Sequence, residues 1–246
     1  PWLIESAQSP PDAAVTLVCF HSMGVGASLF APFLARPPAG LRVLVVQTPG
    51  REERSGEAVL GEVSEVVDAA VARIRAHVSG PLLLWGHSFG GIVAHEVARS
   101  LLADTGVQPG HLLVTGTVAP CRIALWQQRE VMLRVSVAEN SADYLMALSR
   151  HVEDPAFVRA ILPLMRPDTP LLMRYTPAPR PPLSIGIIAY AARQDDMVYP
   201  DEIQFWADHT HGGFELVEVD GDHWFLNRNR TALVDKLTHL AAQLVG

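Results

Sequence analysis

The feature that most constrains the fold is the stretch Leu82 to Ala98, which reads LLLWGHSFGGIVAHEVA. Its first four residues are a short apolar run typical of a strand buried in a parallel sheet, and the spacing from Ile92 onward is helical. Between them, Gly86, Ser88 and Gly90 form G-x-S-x-G. In a strand-turn-helix setting this motif predicts a sharp turn that exposes a nucleophilic serine above the helix start. A glycine-rich turn with an incidental serine is the alternative.

Apolar, β-rich segments recur between helical patterns, which predicts parallel strands joined by crossover helices. Six segments are predicted as strands: Val15–Phe20, Leu41–Gln47, Leu82–Trp85, His111–Thr117, Ile185–Tyr190 and Phe214–Val219. Helical spacing is clearest in Glu62–His77 and Pro200–His209. Each loop after a strand gathers glycine, polar or ionisable residues, and open parallel sheets place their sites on that edge.

The alternation of strands and helices breaks down over residues 121–176. Helical periodicity is visible in Ala142–Ser149 and Pro155–Met165, without a convincing strand. We interpret the segment as a helical lid inserted over the active edge of the sheet. The proline-rich stretch Thr176–Leu183 predicts a stiff connector back to the sheet. A chain of this length is expected to form one domain, residues 1–246, with the lid within it.

Charge and composition exclude some classes of protein. The net charge is −7 and Lys236 is the single lysine, so no basic tract favours nucleic acid as a partner. No apolar run approaches the roughly 18 residues of a transmembrane helix, and the first residues lack a signal-peptide pattern. A cytoplasmic monomer without membrane contact is expected. Cys19 and Cys121 are expected to be buried, reduced thiols, and no metal-ligand spacing is present.

A serine hydroxyl is a weak nucleophile, so it needs a histidine to accept its proton and a carboxylate to orient that histidine. Of the ten histidines, His223 is the best candidate, because it follows a predicted strand near the C-terminus in the loop DGDHWF. His87 is the rival by proximity, but its side chain is expected to point away from the hydroxyl of Ser88. His21 is expected to shape the loop after the first strand. The others are interpreted as surface or partly buried residues with local partners.

Two loops are candidates for the carboxylate. The first, HLLVTGTVAP, holds no acid, whereas the later loop, ARQDDMVYP, offers Asp195 and Asp196 side by side. The order serine, acid, histidine along the chain is that of α/β-hydrolases. A surface turn is the alternative account of the aspartate pair.

Attack on a carbonyl carbon creates a negative oxygen that backbone N–H groups must stabilise in an oxyanion hole. Phe89, directly after the serine, is expected to supply one N–H group. The loop HSMGVG after the first strand is expected to supply the second, with Ser22 as the first choice and Met23 as the next. The predicted fold class is therefore an α/β-hydrolase fold, in which helices flank a mostly parallel central sheet and a helical lid is inserted.

Blocks along nearly the whole chain resemble the type II thioesterases of nonribosomal peptide and polyketide assembly lines. They are CFHSMGVGASLF, QTPGREER, LLLWGHSFGGIVAHEVAR, VTGTVAP, DDMVYPDEIQFW and DGDHWFL. In that resemblance, D-x-x-V with a tryptophan eleven residues after the aspartate selects Asp195, because Val198 and Trp206 then fall in register. Asp196 becomes the alternate. Release domains fused to synthases commonly take their acid from the earlier loop, so the resemblance favours a stand-alone editing enzyme.

The resemblance implies hydrolysis of acyl or aminoacyl chains from the phosphopantetheine arm of acyl or peptidyl carrier proteins. Ser88 would form the acyl-enzyme, His223 would act as the base, and Asp195 would hold the imidazole. No metal or redox cofactor is implied, because the pantetheine arm arrives with the substrate. Carrier proteins are usually acidic, and the candidate docking arginines are Arg51, Arg54, Arg122 and Arg129.

Three other functions fit the same residues. A general carboxylester hydrolase uses the same triad on oxygen esters. A chain-releasing domain of a synthase would act on a carrier within its own assembly line. A noncatalytic module of the same fold would bind acyl chains or partners without turnover.

Overall fold

The structure, a computed structural model, describes residues 1–10, 12–104, 106–129, 132 and 168–246. Within these residues the strands are β1 Leu3–Glu5, β2 Val15–Phe20, β3 Leu41–Val46, β4 Leu82–His87, β5 Pro109–Thr115, β6 Gly186–Ala192 and β7 Phe214–Val219. They form one sheet in the order β1-β3-β2-β4-β5-β6-β7. Only β1 is antiparallel to its neighbour, and all other pairs are parallel. The prediction of a mostly parallel sheet is confirmed.

The α-helices of the described residues with defined bounds are α1 Ala31–Ala35, α2 Val63–His77, α3 Phe89–Leu102, α4 Ile123–Gln127, α5 Pro200–Ile203 and α6 Arg230–Val245. The helix predicted at Pro200–His209 divides into α5 and a 3-10 helix, Gln204–His209. Strand β1 and helix α6 were not predicted. Strand β1 has three residues, too few to show an alternating pattern. Helix α6 carries a recognisable apolar stripe at Leu233, Leu237 and Leu240.

The central strands are buried on both faces, which explains their continuous apolar sequence. Every residue of β2, β4 and β6 is buried. Successive residues of a strand point to opposite faces. Leu84 therefore packs in the core that contains α2 and α3, whereas its neighbours Leu83 and Trp85 pack in the core that contains α1 and α6. Helices cover both faces of the central strands, so the loops at the strand ends are the places where a site can open.

The predicted lid, residues 121–176, lies partly outside the described residues. Both periodic segments, Ala142–Ser149 and Pro155–Met165, fall in the stretch that the structure does not describe. The described parts at either end are helical: α4 at one end and residues 168–174 at the other. Residues 176–182 then run without helix or strand toward the sheet. The assignment of a lid stays a prediction.

The turn before α3 leaves no room for side chains on its glycines. A Cβ on Gly86 would lie 2.2 Å from the carbonyl oxygen of Gly90, and a Cβ on Gly90 would lie 2.1 Å from the carbonyl oxygen of Phe20. Both obstacles are backbone atoms, which cannot rotate away as a side chain can. Strand β4, the start of α3 and the end of β2 therefore meet in direct backbone contact.

We expect Gly86→Ala to lower the free energy of unfolding by about 1–3 kcal/mol, because the added methyl group forces backbone atoms apart. Urea denaturation followed by circular dichroism measures this change. Gly56→Ala is the matched control, because a Cβ there would meet no atom within 4 Å. Equal stability losses in both variants would contradict the steric explanation.

Two expectations about the wider chain can be compared with the structure. Cys19 and Cys121 are both free, but Cys121 is exposed, so the prediction of two buried thiols is wrong for Cys121. This residue lies in the middle of the 3-10 helix Pro120–Arg122 after β5 and faces solvent instead of entering the core. In the described part of the chain, no helix is long and apolar enough to cross a membrane.

Candidate active site

Ser88 occupies the turn between β4 and α3 with backbone angles φ 53° and ψ −124°. A positive φ is costly for a residue with a Cβ unless its surroundings enforce it. Here the N–H of Ser88 donates to the carbonyl of Thr115 at 2.9 Å, and the hydroxyl of Thr117 donates to the carbonyl of Ser88 at 3.0 Å. Strand β5 and the residues after it thus hold the turn in its strained form.

The structure brings Ser88, His223 and Asp195 into one hydrogen-bonded chain. His223 Nε2 lies 3.0 Å from Ser88 Oγ, and His223 Nδ1 lies 2.8 Å from Asp195 Oδ2. With its proton on Nδ1, a neutral imidazole donates to the carboxylate and accepts from the serine hydroxyl. Asp196 is half-buried next to Asp195, and the carboxylate bonded to the imidazole is that of Asp195.

The second carboxylate oxygen of Asp195 is held by its own loop. Asp195 Oδ1 accepts hydrogen bonds from the N–H groups of Met197 and Val198, each at 2.9 Å. The carbonyl of Met197 in turn accepts from the Trp126 indole N–H at 2.8 Å and from Arg129 Nη1 at 2.7 Å. Trp126 of helix α4 and Arg129, two residues after the end of that helix, therefore fix the loop that carries the carboxylate.

The imidazole of His223 is buried, and two opposing effects act on its pKa. Burial alone would lower the pKa, but the charge of Asp195, its hydrogen bond and the charges of Asp222 and Asp196 together raise it above 6.5. Asp195 is itself 3% exposed, so its charge is little screened by water. The site thus favours an imidazole that can accept a proton.

His87 does not bond to the serine but packs against the other histidine. Its ring centre lies 5.2 Å from that of His223, and its Nδ1 lies 3.1 Å from Thr115 Oγ1. Burial, followed by the charge of His223, lowers the pKa of His87 well below 6.5. His87 therefore stays neutral, which spares His223 a neighbouring positive charge. The expectation that its side chain packs away from the hydroxyl agrees with this position.

The loop after β2 lies against the start of α3. Ser22 and Met23, the two candidates for the second oxyanion-hole donor, are both buried there. His21 holds the loop through Nδ1, which is 2.8 Å from the carbonyl of Ser22, and through Nε2, which is 3.0 Å from Thr48 Oγ1. Burial and the charge of Arg51 lower the pKa of His21 to about 3. His21 is therefore a neutral structural group of this loop, as predicted from its position.

Phe89 is the first residue of α3. The first N–H groups of a helix have no acceptor within the helix, and the helix dipole adds partial positive charge at this end. Its N–H group is thus of the type that can stabilise a negative oxygen beside Ser88. An apolar cavity adjoins both residues and is lined by Ile92, Val118, Ile123, Trp126, Leu172 and Val198. Its volume is only about 10 Å³, so it marks an apolar surface beside Ser88 and is not a preformed pocket for an acyl chain.

The four arginines proposed for partner docking are engaged inside the molecule. Arg51 and Arg54 are 4% and 7% exposed, so their assignment as docking residues is wrong. Arg54 pairs with Glu57 and Arg51 with Asp168. The other two are less buried but also occupied, since Arg122 lies over the ring of Phe205 and Arg129 over that of Tyr199. Among the described residues, no group of three or more His, Cys, Asp or Glu side chains is placed to hold a metal.

The sequence did not reveal three residues that hold the turns and loops of the site in place. Thr115 holds the serine turn and His87, Met197 supplies one donor and one acceptor at the acid loop, and Asp168 contacts the loop after β2. Thr115 contacts Ser88 through its backbone carbonyl, and Met197 makes its contacts through its backbone N–H and carbonyl. Backbone groups leave no signal in the side-chain pattern. Asp168 left no signal either, because the sequence does not show that its partner Arg51 is buried.

The chain is similar to known proteins in sequence and in fold. The family profile described as Thioesterase domain matches residues 15–240. This chain belongs to the thioesterase family. The thioesterase is a hydrolase that acts on acyl thioesters, and the predicted resemblance and fold class are confirmed.

Relatives of this thioesterase occur in antibiotic biosynthesis. It is 33% identical to Thioesterase PikA5 of Streptomyces venezuelae, over 88% of this chain and 77% of that one. It is 25% identical to the gramicidin S biosynthesis protein GrsT of Aneurinibacillus migulanus, over 95% and 91%. Among solved structures, the type II thioesterase BorB from the borrelidin biosynthetic cluster superposes with a TM-score of 0.83 at 29% identity, covering 98% of this chain and 96% of BorB.

Proposed function

We propose that this thioesterase removes acyl or aminoacyl groups from the phosphopantetheine arm of carrier proteins through a Ser88–His223–Asp195 triad. The observation that carries the proposal is the hydrogen-bonded chain of these side chains, with distances of 3.0 and 2.8 Å. It is supported by the similarity to Thioesterase PikA5, to the gramicidin S biosynthesis protein GrsT and to the type II thioesterase BorB from the borrelidin biosynthetic cluster. The apolar cavity beside Ser88 offers a surface for the acyl group.

In the first half of the reaction, Ser88 Oγ attacks the thioester carbonyl carbon while His223 Nε2 takes the hydroxyl proton. The negative oxygen of the tetrahedral intermediate is stabilised by the N–H of Phe89 and by that of Ser22, with Met23 as the alternative. The intermediate collapses as the carbon–sulfur bond breaks. His223 gives its proton to the departing pantetheine sulfur, which leaves as a thiol, and the acyl group remains on Ser88.

Hydrolysis of the acyl-enzyme repeats these steps with water as the nucleophile. His223 takes a proton from water, and the resulting hydroxide attacks the ester carbonyl carbon. The bond between that carbon and Ser88 Oγ then breaks. The proton returns from His223 to the serine, and the carboxylic acid leaves. Asp195 stabilises the imidazolium formed in each half.

The role proposed within an assembly line is that of a stand-alone editing enzyme. The support is the position of the acid: Asp195 follows β6, and the loop after β5 carries no carboxylate. We further propose that residues 121–176 form a lid within a single domain, residues 1–246. The described ends of this segment are helical, and Leu172 and Trp126 from these ends line the cavity beside Ser88.

The substrate class is tested with carrier proteins loaded with a panel of acyl groups, each matched to an oxygen ester of the same acid. We expect faster release of acid from the carrier thioesters, measured by mass spectrometry of the carriers. A strong preference for the oxygen esters would instead identify a general carboxylester hydrolase. Absence of turnover on every substrate by folded protein would point to a noncatalytic acyl-binding module.

The pH dependence of kcat/KM follows from the raised pKa of His223. The base must be neutral to accept the serine proton, so activity is lost as pH falls through this pKa, and the midpoint is expected above pH 6.5. Asp222→Asn is expected to move the midpoint to lower pH, because one nearby negative charge is removed. Its amide oxygen can still accept the N–H of Trp224, as the carboxylate does at 2.9 Å.

Initial rates across a pH series measure this midpoint in the free enzyme. Asp201→Asn serves as the charge-matched control, because Asp201 is an exposed residue of α5 and does not contribute to the His223 pKa. A wild-type midpoint at or below pH 6.5 would contradict the assignment of His223 as the titrating base.

A further inference from the structure

A buried ion pair joins two distant parts of the chain at the loop after β2. Arg51 Nη1 lies 2.9 Å from Asp168 Oδ2, and Arg51 Nη2 lies 2.5 Å from Asp168 Oδ1. The side chains of Arg51 and Asp168 are 5% and 1% exposed. This fork-to-fork arrangement is the most directional form of an ion pair in proteins.

The same ion pair holds the loop after β2. Asp168 Oδ2 accepts the N–H of Gly24 at 2.9 Å, and Arg51 Nη1 donates to the carbonyl of Val25 at 3.2 Å. Gly24 has φ 71°, a conformation that favours glycine. The N–H group of Gly24 and the carbonyl group of Val25 are thus both bonded to the ion pair. These two residues come directly after Ser22 and Met23.

Further polar contacts fix the rest of this loop from the segment that carries Arg51. Gln47 Oε1 accepts the N–H of Ala27 at 2.6 Å, and Gln47 Nε2 donates to the carbonyl of Arg51 at 3.2 Å. His21 bonds to Thr48 at the beginning of the loop. The loop is therefore anchored at its start, middle and end, and Asp168 is the anchor that comes from the far side of the predicted lid.

An ion pair of this kind is a poor source of stability, because two charges must leave water. Replacement of both partners by apolar residues of similar volume is often neutral or stabilising, whereas removal of one partner leaves a costly buried charge. The geometry of the loop, by contrast, depends directly on both charged groups. Removal of both charges is therefore expected to affect the geometry of the loop more than the stability of the fold. This contrast distinguishes a positioning role from a role in folding.

We propose that Asp168 and Arg51 are positioning residues that hold the Ser22–Gly24 backbone. In this position the N–H group of Ser22, or that of Met23 as the alternative, faces the oxygen of the tetrahedral intermediate. The proposal rests on the function proposed above, because it assumes attack by Ser88. It assigns to the end of the lid segment a part in building the oxyanion hole. Displacement of such a donor by about 1 Å can cost about 10²-fold in rate.

Three variants test the proposal. Asp168→Ala removes the acceptor of the Gly24 N–H, and we expect kcat to fall about 10²-fold with KM nearly unchanged. The double variant Arg51→Met, Asp168→Leu removes both charges, so its melting temperature is expected to return toward that of the wild type, while kcat stays as low as in Asp168→Ala. Asp168→Asn keeps an oxygen for the Gly24 N–H and is expected to retain more activity than Asp168→Ala.

Activity is expressed per active site, counted by labelling with a serine-directed fluorophosphonate probe. This normalisation removes unfolded molecules from kcat. Glu5→Ala is the matched control, because Glu5 and Arg42 form a bidentate ion pair at the opposite edge of the sheet, with both contacts at 2.8 Å. Its kcat per labelled site is expected to equal that of the wild type.

Wild-type kcat per labelled site in Asp168→Ala, or in a folded double variant, would overturn the proposal and leave the ion pair a purely structural one. If the double variant does not fold, Asp168→Ala and Asp168→Asn decide between these results. Failure of the proposed function has a different signature: the probe would not label the wild type, or it would label Ser88→Ala equally.

Discussion

Ser88→Ala is expected to lower kcat for thioester hydrolysis by about 10⁶-fold, the loss typical of removing a serine nucleophile from a triad. The substitution removes the oxygen that is proposed to attack the substrate and that contacts His223 at 3.0 Å. The bonds that hold the turn involve the backbone of residue 88, so the fold is expected to remain. Release of acid from an acyl-loaded carrier measures turnover, and a fluorophosphonate probe measures covalent labelling.

Ser100→Ala provides the matched control for this experiment. Ser100 lies on the same helix, α3, twelve residues after Ser88, and outside the triad. Normal turnover and labelling are expected for this variant. Residual activity of Ser88→Ala within about 100-fold of the wild type, or persistent labelling, would require a different nucleophile.

Asp195→Asn is expected to lower kcat by about 10⁴-fold, because an amide favours the wrong imidazole tautomer and carries no charge to stabilise the imidazolium. The amide oxygen can still accept the N–H groups of Met197 and Val198, which bond to Asp195 Oδ1 at 2.9 Å. The loop is therefore expected to keep its shape. The pKa of His223 is also expected to fall, because burial would then act without the opposing charge of Asp195.

Asp196→Asn is the control that separates the two neighbouring carboxylates. Asp196 adds only its charge to the environment of His223, so we expect a change of a few-fold, in line with a partly screened charge. Steady-state kinetics of both variants on the same thioester give the comparison. A larger loss in Asp196→Asn than in Asp195→Asn would exchange the proposed roles.

The parts of the fold predicted from sequence are those with a strong local signal. Strands β2 and β7 were predicted to the residue, and α2 begins one residue after its predicted start. The apolar run of each strand and the helical spacing of α2 can be recognised within the element itself, without reference to distant residues. The serine turn was predictable for the same reason, since the two glycines flanking Ser88 reflect backbone contacts that exclude a Cβ. The positions of His223 and Asp195 followed from their place after strands of a parallel sheet.

What was not predicted depends on contacts between distant parts of the chain. Arg51 and Arg54 were taken as surface groups because arginine usually is. Arg54 pairs with Glu57, three residues later, but the acceptor that accounts for the burial of Arg51 is not visible in the local sequence. For Arg51 the acceptor is Asp168, 117 residues away. The choice of Asp195 over Asp196 likewise came from resemblance to a family, because two adjacent aspartates are equivalent in the local pattern.

The hydrogen bonds from Trp126 and Arg129 to the Met197 carbonyl connect the surface of this enzyme to the loop that carries Asp195. Arg129 is 19% exposed, and its partner Glu202 is 13% exposed. Substitutions of Arg129 or Glu202 can therefore shift the carboxylate loop without replacing any side chain that lines the apolar cavity beside Ser88. Turnover can thus be adjusted from residues at the periphery of the site, outside the residues proposed to take part in the reaction.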